Sequence, residues 1–290
     1  MQEIRTPIAI NVQRTNGGLG ADVSGVDLSQ PLDQATFAAI EKAWLDNVVL
    51  RFRGQKLTDA QLVAFSRWFG DLDEARLDDY QPFVPELPQI MVISNVVENG
   101  RAIGKLGNAE ARWHSDIDYV EEPPKASILY AIELPPTGGN TGFCNMYAAY
   151  ETLPADLKRA IEGKRCKHDA AHNSAGKLRG GFTEVDDPRD IPGPWHPLVR
   201  KHPQTGRKAL YLGRRPNAYI EGLSLEESEP LLDALWAHAT QEKFTWTQVW
   251  RIGDVVMWDN RCAMHRRDAL DPNSRRIMHR TQVKGDKPFA

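Results

Sequence analysis

Ala111-Arg112-Trp113-His114-Ser115-Asp116 reads as an extended segment, and the parity of its residues decides how the rest of the chain is understood. Successive side chains on a strand leave opposite faces, so His114 and Asp116, two residues apart, project to the same side. A second stretch, Val255-Val256-Met257-Trp258-Asp259-Asn260-Arg261-Cys262-Ala263-Met264-His265, is an apolar strand that ends in polar residues and a histidine. Two histidines and one carboxylate, with half an octahedron left open, form the facial ligand set of non-haem Fe(II) oxygenases. A His-x-Asp pair alone is common in turns and hydrogen-bonded cores. The assignment of His114, Asp116 and His265 therefore rests on their company.

Short strand patterns surround both stretches. They cover residues 48–52, 89–96, 126–132, 140–144, 247–251 and 276–283, and a hairpin joins 198–202 to 208–212 through Pro203-Gln204-Thr205-Gly206-Arg207. The glycine-rich Asn16-Gly17-Gly18-Leu19-Gly20 lacks both GxGxxG and a Lys-Ser/Thr pair, so it reads as a hairpin turn. Helical spacing is confined to a few places: Phe37, Ile40, Ala43 and Trp44 within 33–47, a capping box at Thr58-Asp59-Ala60-Gln61, a short helix in 153–163, and a box at Ser224-Leu225-Glu226-Glu227 with Leu231, Leu235 and Trp236 facing inward. This pattern predicts a mainly β fold with flanking helices and a jelly-roll core, in one domain spanning 1–290. Residues 172–197 are rich in Gly, Pro, Asp and Arg without periodicity, as expected of a lid.

The composition of the 290 residues, 41% hydrophobic and 26% charged with a net charge of -3, is that of an ordinary globular protein. Without a basic block, neither nucleic acid nor an anionic membrane is an expected partner. Cys144, Cys166 and Cys262 have no CxxC spacing, and the N-terminus lacks the basic-then-apolar order of a secretory signal. A cytoplasmic protein is expected, with a homo-oligomeric assembly. His168, His172, His196, His202 and His238 have no partner pattern and are read as structural or solvated.

Arg276 and Arg280, an even number of residues apart on one predicted strand, share a face. An arginine fork matches a carboxylate, so two on an interior face imply two anionic groups to hold.

Trp113-His114-Ser115-Asp116, Thr137-Gly138-Gly139-Asn140-Thr141, Trp258-Asp259-Asn260-Arg261-Cys262 leading to His265, and Arg276-Ile277-Met278-His279-Arg280 together resemble the TauD/TfdA family of Fe(II)- and 2-oxoglutarate-dependent dioxygenases. The resemblance runs from the first strand region to Gly285-Asp286-Lys287-Pro288-Phe289. It implies a double-stranded β-helix core in which His114, Asp116 and His265 ligate iron. Thr141 and Arg276 would hold the distal carboxylate of 2-oxoglutarate, and Arg280 the substrate's anionic group. It further implies that O2 and 2-oxoglutarate are consumed to hydroxylate a small anionic substrate, with collapse to a carbonyl product where the carbon bears a heteroatom.

Residues 71–83 lack the histidine expected of taurine enzymes, and Gly107-Asn108-Ala109-Glu110 and Phe143-Cys144-Asn145-Met146 are closer to phenoxyacetate-type members. An aryloxyalkanoate-like carboxylate is thus favoured over taurine, alkylsulfonates or alkyl sulfates. Of other classes, a zinc hydrolase would have no use for Thr141 and Arg276. A non-catalytic jelly-roll binding protein would tolerate loss of His114.

Overall fold

The apolar side chains of the strand Val255–Asp259 divide by parity between two cores. Val256 and Trp258 pack with Leu129, Ala131, Phe143 and Met278, whereas Val255 and Met257 pack with Ile40, Trp44, Leu62 and Phe65. A strand buried on both faces has no polar face to show, which is why its sequence is continuously apolar. The computed structural model describes residues 10–74, 83–84, 86–106 and 111–290.

The larger sheet has nine described strands. Its order is Asn11–Arg14, Ala21–Ser24, Val49–Phe52, Val255–Asp259, Ala126–Glu133, Ile277–Val283, Leu87–Ser94 and Phe83–Val84, with Lys105–Leu106 also paired to Leu87–Ser94. The smaller sheet runs Thr245–Gln248, Thr141–Asn145, Ala263–Arg267, Ala111–His114. Phe143 of the small sheet meets Trp258 of the large one at 5.4 Å between ring centroids, so the two sheets share an interior as in a jelly roll. Outside the larger sheet lie the helices Gln34–Asn47, capped by Asp33, and Asp59–Arg67, opened by the reciprocal Thr58–Gln61 box.

The hairpins expected around residues 16–20 and 203–207 are both formed. Residues 1–9 and 107–110 lie outside the described residues, as do 75–82 of the 71–83 stretch. Two details differ from expectation. Helix Leu225–Ala239 buries Leu232, Leu235 and Trp236 and leaves Leu231 only half-buried. The strand expected from Val255 ends at Asp259 in the large sheet, and His265 lies not in the polar stretch after it but on a second strand, Ala263–Arg267, in the small sheet. No helix among the described residues is long and apolar enough to cross a membrane.

The turn between those two strands is locked electrostatically. Asp259, 1% exposed, accepts from Arg261 Nε at 2.8 Å, Arg261 Nη2 at 2.7 Å and His202 Nε2 at 3.0 Å. Arg261 Nη1 reaches Gln204 Oε1 at 2.8 Å, tying in the loop of the second hairpin. Burial by itself would raise the Asp259 carboxyl, but Arg261 and His202 hold it well below the usual carboxylate range. Asp259→Asn leaves the Arg261 guanidinium buried without its counter-charge, and we expect a loss of about 3 kcal/mol in urea unfolding at neutral pH. Because the folded carboxyl is depressed, this contribution is full above the unfolded value near about 4 and declines as pH falls through it. The gap between wild type and variant should narrow below about pH 4, and an equal gap at pH 7 and pH 3 would refute the assignment.

Candidate metal centre

Strand parity delivers the inward side chains. On Ile277–Val283, His279 and Thr281 point to the helix Asp59–Arg67, bonding Asp59 at 2.6 Å and Ser66 at 2.6 Å. Arg276, Met278, Arg280 and Gln282 occupy the other parity and lie buried in the interior. Arg276 and Arg280 therefore share a face, as their spacing predicted.

His114 ends its strand directly opposite His265 in the register of the small sheet, and the two rings sit 4.2 Å apart. Asp116 follows in a turn, where its Oδ1 lies 4.0 Å from His114 Nε2 and 3.8 Å from His265 Nε2. The ligand atoms of all three lie within 4.8 Å of one another, and all three residues are buried. Ile117 next in line has φ +48°, a left-handed conformation that a β-branched residue tolerates only at a cost of about 1–3 kcal/mol. That turn sends both Asp116 and Asp118 inward.

Protonation suits a cation. His114 Nδ1 lies 2.6 Å from the Arg112 carbonyl, which can only accept, so Nδ1 carries the proton and Nε2 presents its lone pair. Burial pushes both imidazoles down, with His265 and Arg214 adding to the effect at His114. Both rings are therefore neutral, as metal ligands must be. Burial alone would raise the Asp116 carboxyl, yet the Arg280 charge and the Ser127 hydroxyl keep it ionised, far below its ordinary value. Its Oδ2 accepts from Ser127 Oγ at 2.7 Å, and that hydroxyl is held by Asn260 at 3.0 Å and Gln282 at 3.2 Å. Arg280 Nη1 donates to Oδ1 at 2.9 Å.

A second trio, His202, Asp259 and Cys262, is equally close and equally buried. It differs in chemistry. Asp259 is neutralised by Arg261, and His202 has Nε2 on Asp259 and Nδ1 accepting from the backbone of Gln204 and Thr205. The Cys262 thiol is pushed far up by burial. No lone pair or thiolate is left for a cation, so this trio is structural.

Beyond the triad lies a basic pocket. Arg276, 2% exposed, makes no side-chain hydrogen bond or ion pair among the described residues, and burial together with Arg267 pushes its guanidinium down to about 9. A buried cation without an anion is costly, so the pocket is incomplete by itself. Gly139, at φ +65°, makes room for it, since a Cβ there would sit 3.2 Å from Arg276 Cδ and Nε. Thr141 begins the neighbouring strand, and its hydroxyl accepts from Trp250 Nε1 at 3.0 Å, leaving its own proton to donate. Triad plus orphan guanidinium fit a divalent ion together with a dicarboxylate.

Sequence reasoning missed Ser127, Trp250, Arg267 and the Asp118–Arg214 pair. Arg267 and Ser127 could have been found by parity, Arg267 two residues after His265 and Ser127 as the one polar residue at an inward position of an apolar strand. Of the other histidines, three find partners far along the chain, His168 on Asp118, His202 on Asp259 and His196 on the Asp118 and Val120 carbonyls, while His172 binds the nearby Asp169.

The family model for the taurine catabolism dioxygenase TauD, TfdA family matches residues 11–282. Over 273 residues, 92% of this chain and 94% of the relative, the chain is 36% identical to the alpha-ketoglutarate-dependent 2,4-dichlorophenoxyacetate dioxygenase of Cupriavidus pinatubonensis. It is 35% identical to the (S)-phenoxypropionate/alpha-ketoglutarate-dioxygenase of Sphingobium herbicidovorans, with 96% of each chain covered. The solved structure of AAD-2 in complex with Mn(II) and N-oxalylglycine superposes with a TM-score of 0.81 at 35% identity, covering 97% of this chain and 99% of that one. A buried His-Asp-His cluster beside an uncompensated guanidinium, on a jelly roll matched end to end, has one explanation: the chain belongs to the TauD/TfdA family and is an Fe(II)- and 2-oxoglutarate-dependent dioxygenase.

Proposed function

We propose that this enzyme hydroxylates a small organic carboxylate of the aryloxyalkanoate kind. His114, Asp116 and His265 would hold the iron, and Thr141 with Arg276 the distal carboxylate of 2-oxoglutarate. The observation that carries the reading is Arg276, a guanidinium sealed in the same interior as the triad and lacking any counter-ion among the described residues. A zinc hydrolase gives no reason for that charge. The two phenoxyalkanoate-named relatives support the substrate class.

When bound, iron and 2-oxoglutarate supply the oxidising chemistry, consuming dioxygen and releasing succinate and carbon dioxide as a substrate C–H becomes C–OH. The chain's own residues do the positioning. His114 and His265 offer neutral Nε2 donors, and Ser127 fixes Asp116 through Oδ2 so that Oδ1 faces them. Arg280 keeps that carboxylate charged and stands where an anionic substrate is drawn toward the metal. Phe143 and Trp258 flank His265 at 6.2 and 4.9 Å between centroids and exclude water from its side. Residues 172–197 serve as the lid in this reading, supported by Arg179 stacking on Tyr119 at 3.6 Å, three residues beyond Asp116. Three buried free cysteines agree with a cytoplasmic location.

Under anaerobic conditions, Fe(II) plus 2-oxoglutarate should give the weak visible charge-transfer band of the chelate in wild type and none in His114→Ala or after chelation of the metal. A band of full strength in His114→Ala would remove the ligand assignment. Succinate release should then follow oxygen with aryloxyalkanoates, whereas exclusive coupling to sulfonates or sulfate esters would overturn the substrate class. Replacing Arg276 by Met relieves a buried unpaired charge while removing the carboxylate's partner. The thermal midpoint without cosubstrate should rise by a few degrees, and KM for 2-oxoglutarate should rise about 100-fold. An unchanged KM would place the dicarboxylate elsewhere.

A further inference from the structure

Arg214 is nine-tenths buried, yet only one of its nitrogens is satisfied. Nη1 donates to Asp118 Oδ1 at 2.7 Å, while Nε is buried without a partner and Nη2 makes no hydrogen bond among the described residues. The Asp118 carboxylate that holds it is itself fixed, its Oδ2 lying 2.8 Å from His168 Nδ1. Gly213 makes this brace possible. A Cβ there would fall 2.5 Å from both Asp118 Oδ2 and His168 Nδ1, and the residue's φ of +66° independently favours glycine. Tyr119 lies beneath the guanidinium at 5.5 Å. The brace belongs to the metal centre's own loop, since Asp118 lies two residues past Asp116.

An arginine braced on one edge, bare on the other and held by the loop that carries Asp116 is built to take an oxyanion, and its planar fork favours a carboxylate. Arg280, the anchor expected from the resemblance, has Nη1 on Asp116 and Nη2 against Met91 Sδ, so it has less of its fork to give. Resting on the dioxygenase reading above, we propose that Arg214 is a second anchor for the substrate's carboxylate and sets the preference for carboxylates over neutral analogues. Asp118, His168 and Gly213 are positioning residues that act through it.

The test uses the enzyme loaded with Mn(II) and N-oxalylglycine, with phenoxyacetate and its neutral analogue phenoxyacetamide titrated calorimetrically. Wild type should bind the acid far better than the amide. Arg214→Gln should weaken the acid at least about 30-fold, leave the amide unchanged and so erase the discrimination, with Arg214→Lys intermediate. Asp118→Asn, which loosens the brace but retains the guanidinium, should weaken the acid less than Arg214→Gln. N-oxalylglycine affinity should stay within about twofold in Arg214→Gln, and its unchanged value shows that the variant is folded. A large loss of N-oxalylglycine affinity would instead assign Arg214 to the cosubstrate and overturn the proposal. Acid binding and carboxylate turnover that survive Arg214→Gln would sink the Arg214 assignment alone. A wild type coupled to sulfonates but to no carboxylate would sink the substrate reading and the carboxylate anchor with it.

Discussion

The Asp116 carboxylate, ionised though only 5% exposed, is the constraint around which the interior is arranged. An isolated charge at that depth would be protonated or would unfold its surroundings. It is kept by a hydroxyl on one oxygen and a guanidinium on the other, with two imidazole nitrogens within 4.0 Å. Removing any of these partners returns the desolvation penalty to the rest. The site is thus a balanced set of charges before any ion arrives, and a divalent cation completes it.

The jelly roll supplies what such a set needs. Four strands from two sheets bring Ser127, His114, His265 and Arg280 together from positions spread across the chain, while the opposite parity of the two large-sheet strands, Ala126–Glu133 and Ile277–Val283, faces the helices. Side chains held on paired strands are more rigid than those on loops, which matters when ligand geometry decides reactivity. Ile117, a β-branched residue in the left-handed region, falls between Asp116 and Asp118, where the chain turns to present two carboxylates inward.

Much of this was legible in residue order. Period-two parity correctly put Arg276 and Arg280 on one face, whereas His114 and Asp116 meet because the chain turns after the strand ends at His114; both capping boxes opened helices where Thr58 and Ser224 stand. The polar Asp259-Asn260-Arg261 marked where the strand ends, but nothing local showed that a second strand follows across a tight break. Its cause is the Asp259–Arg261 ion pair closing on His202, a contact made across 57 residues. Partners such as Asp118 with Arg214 and Thr141 with Trp250, 96 and 109 residues apart, leave no local trace at all. His168, His196 and His202, read as structural or solvated, likewise have partners too distant in the chain to be named in advance.

Diffraction from crystals grown with Mn(II) and N-oxalylglycine tests the central claim most directly. The account predicts one anomalous peak per chain among His114 Nε2, His265 Nε2 and Asp116 Oδ1, with the ligand's distal carboxylate on Arg276 and Thr141. A peak at the His202, Asp259 and Cys262 trio, or a distal carboxylate lying away from Arg276, would contradict it.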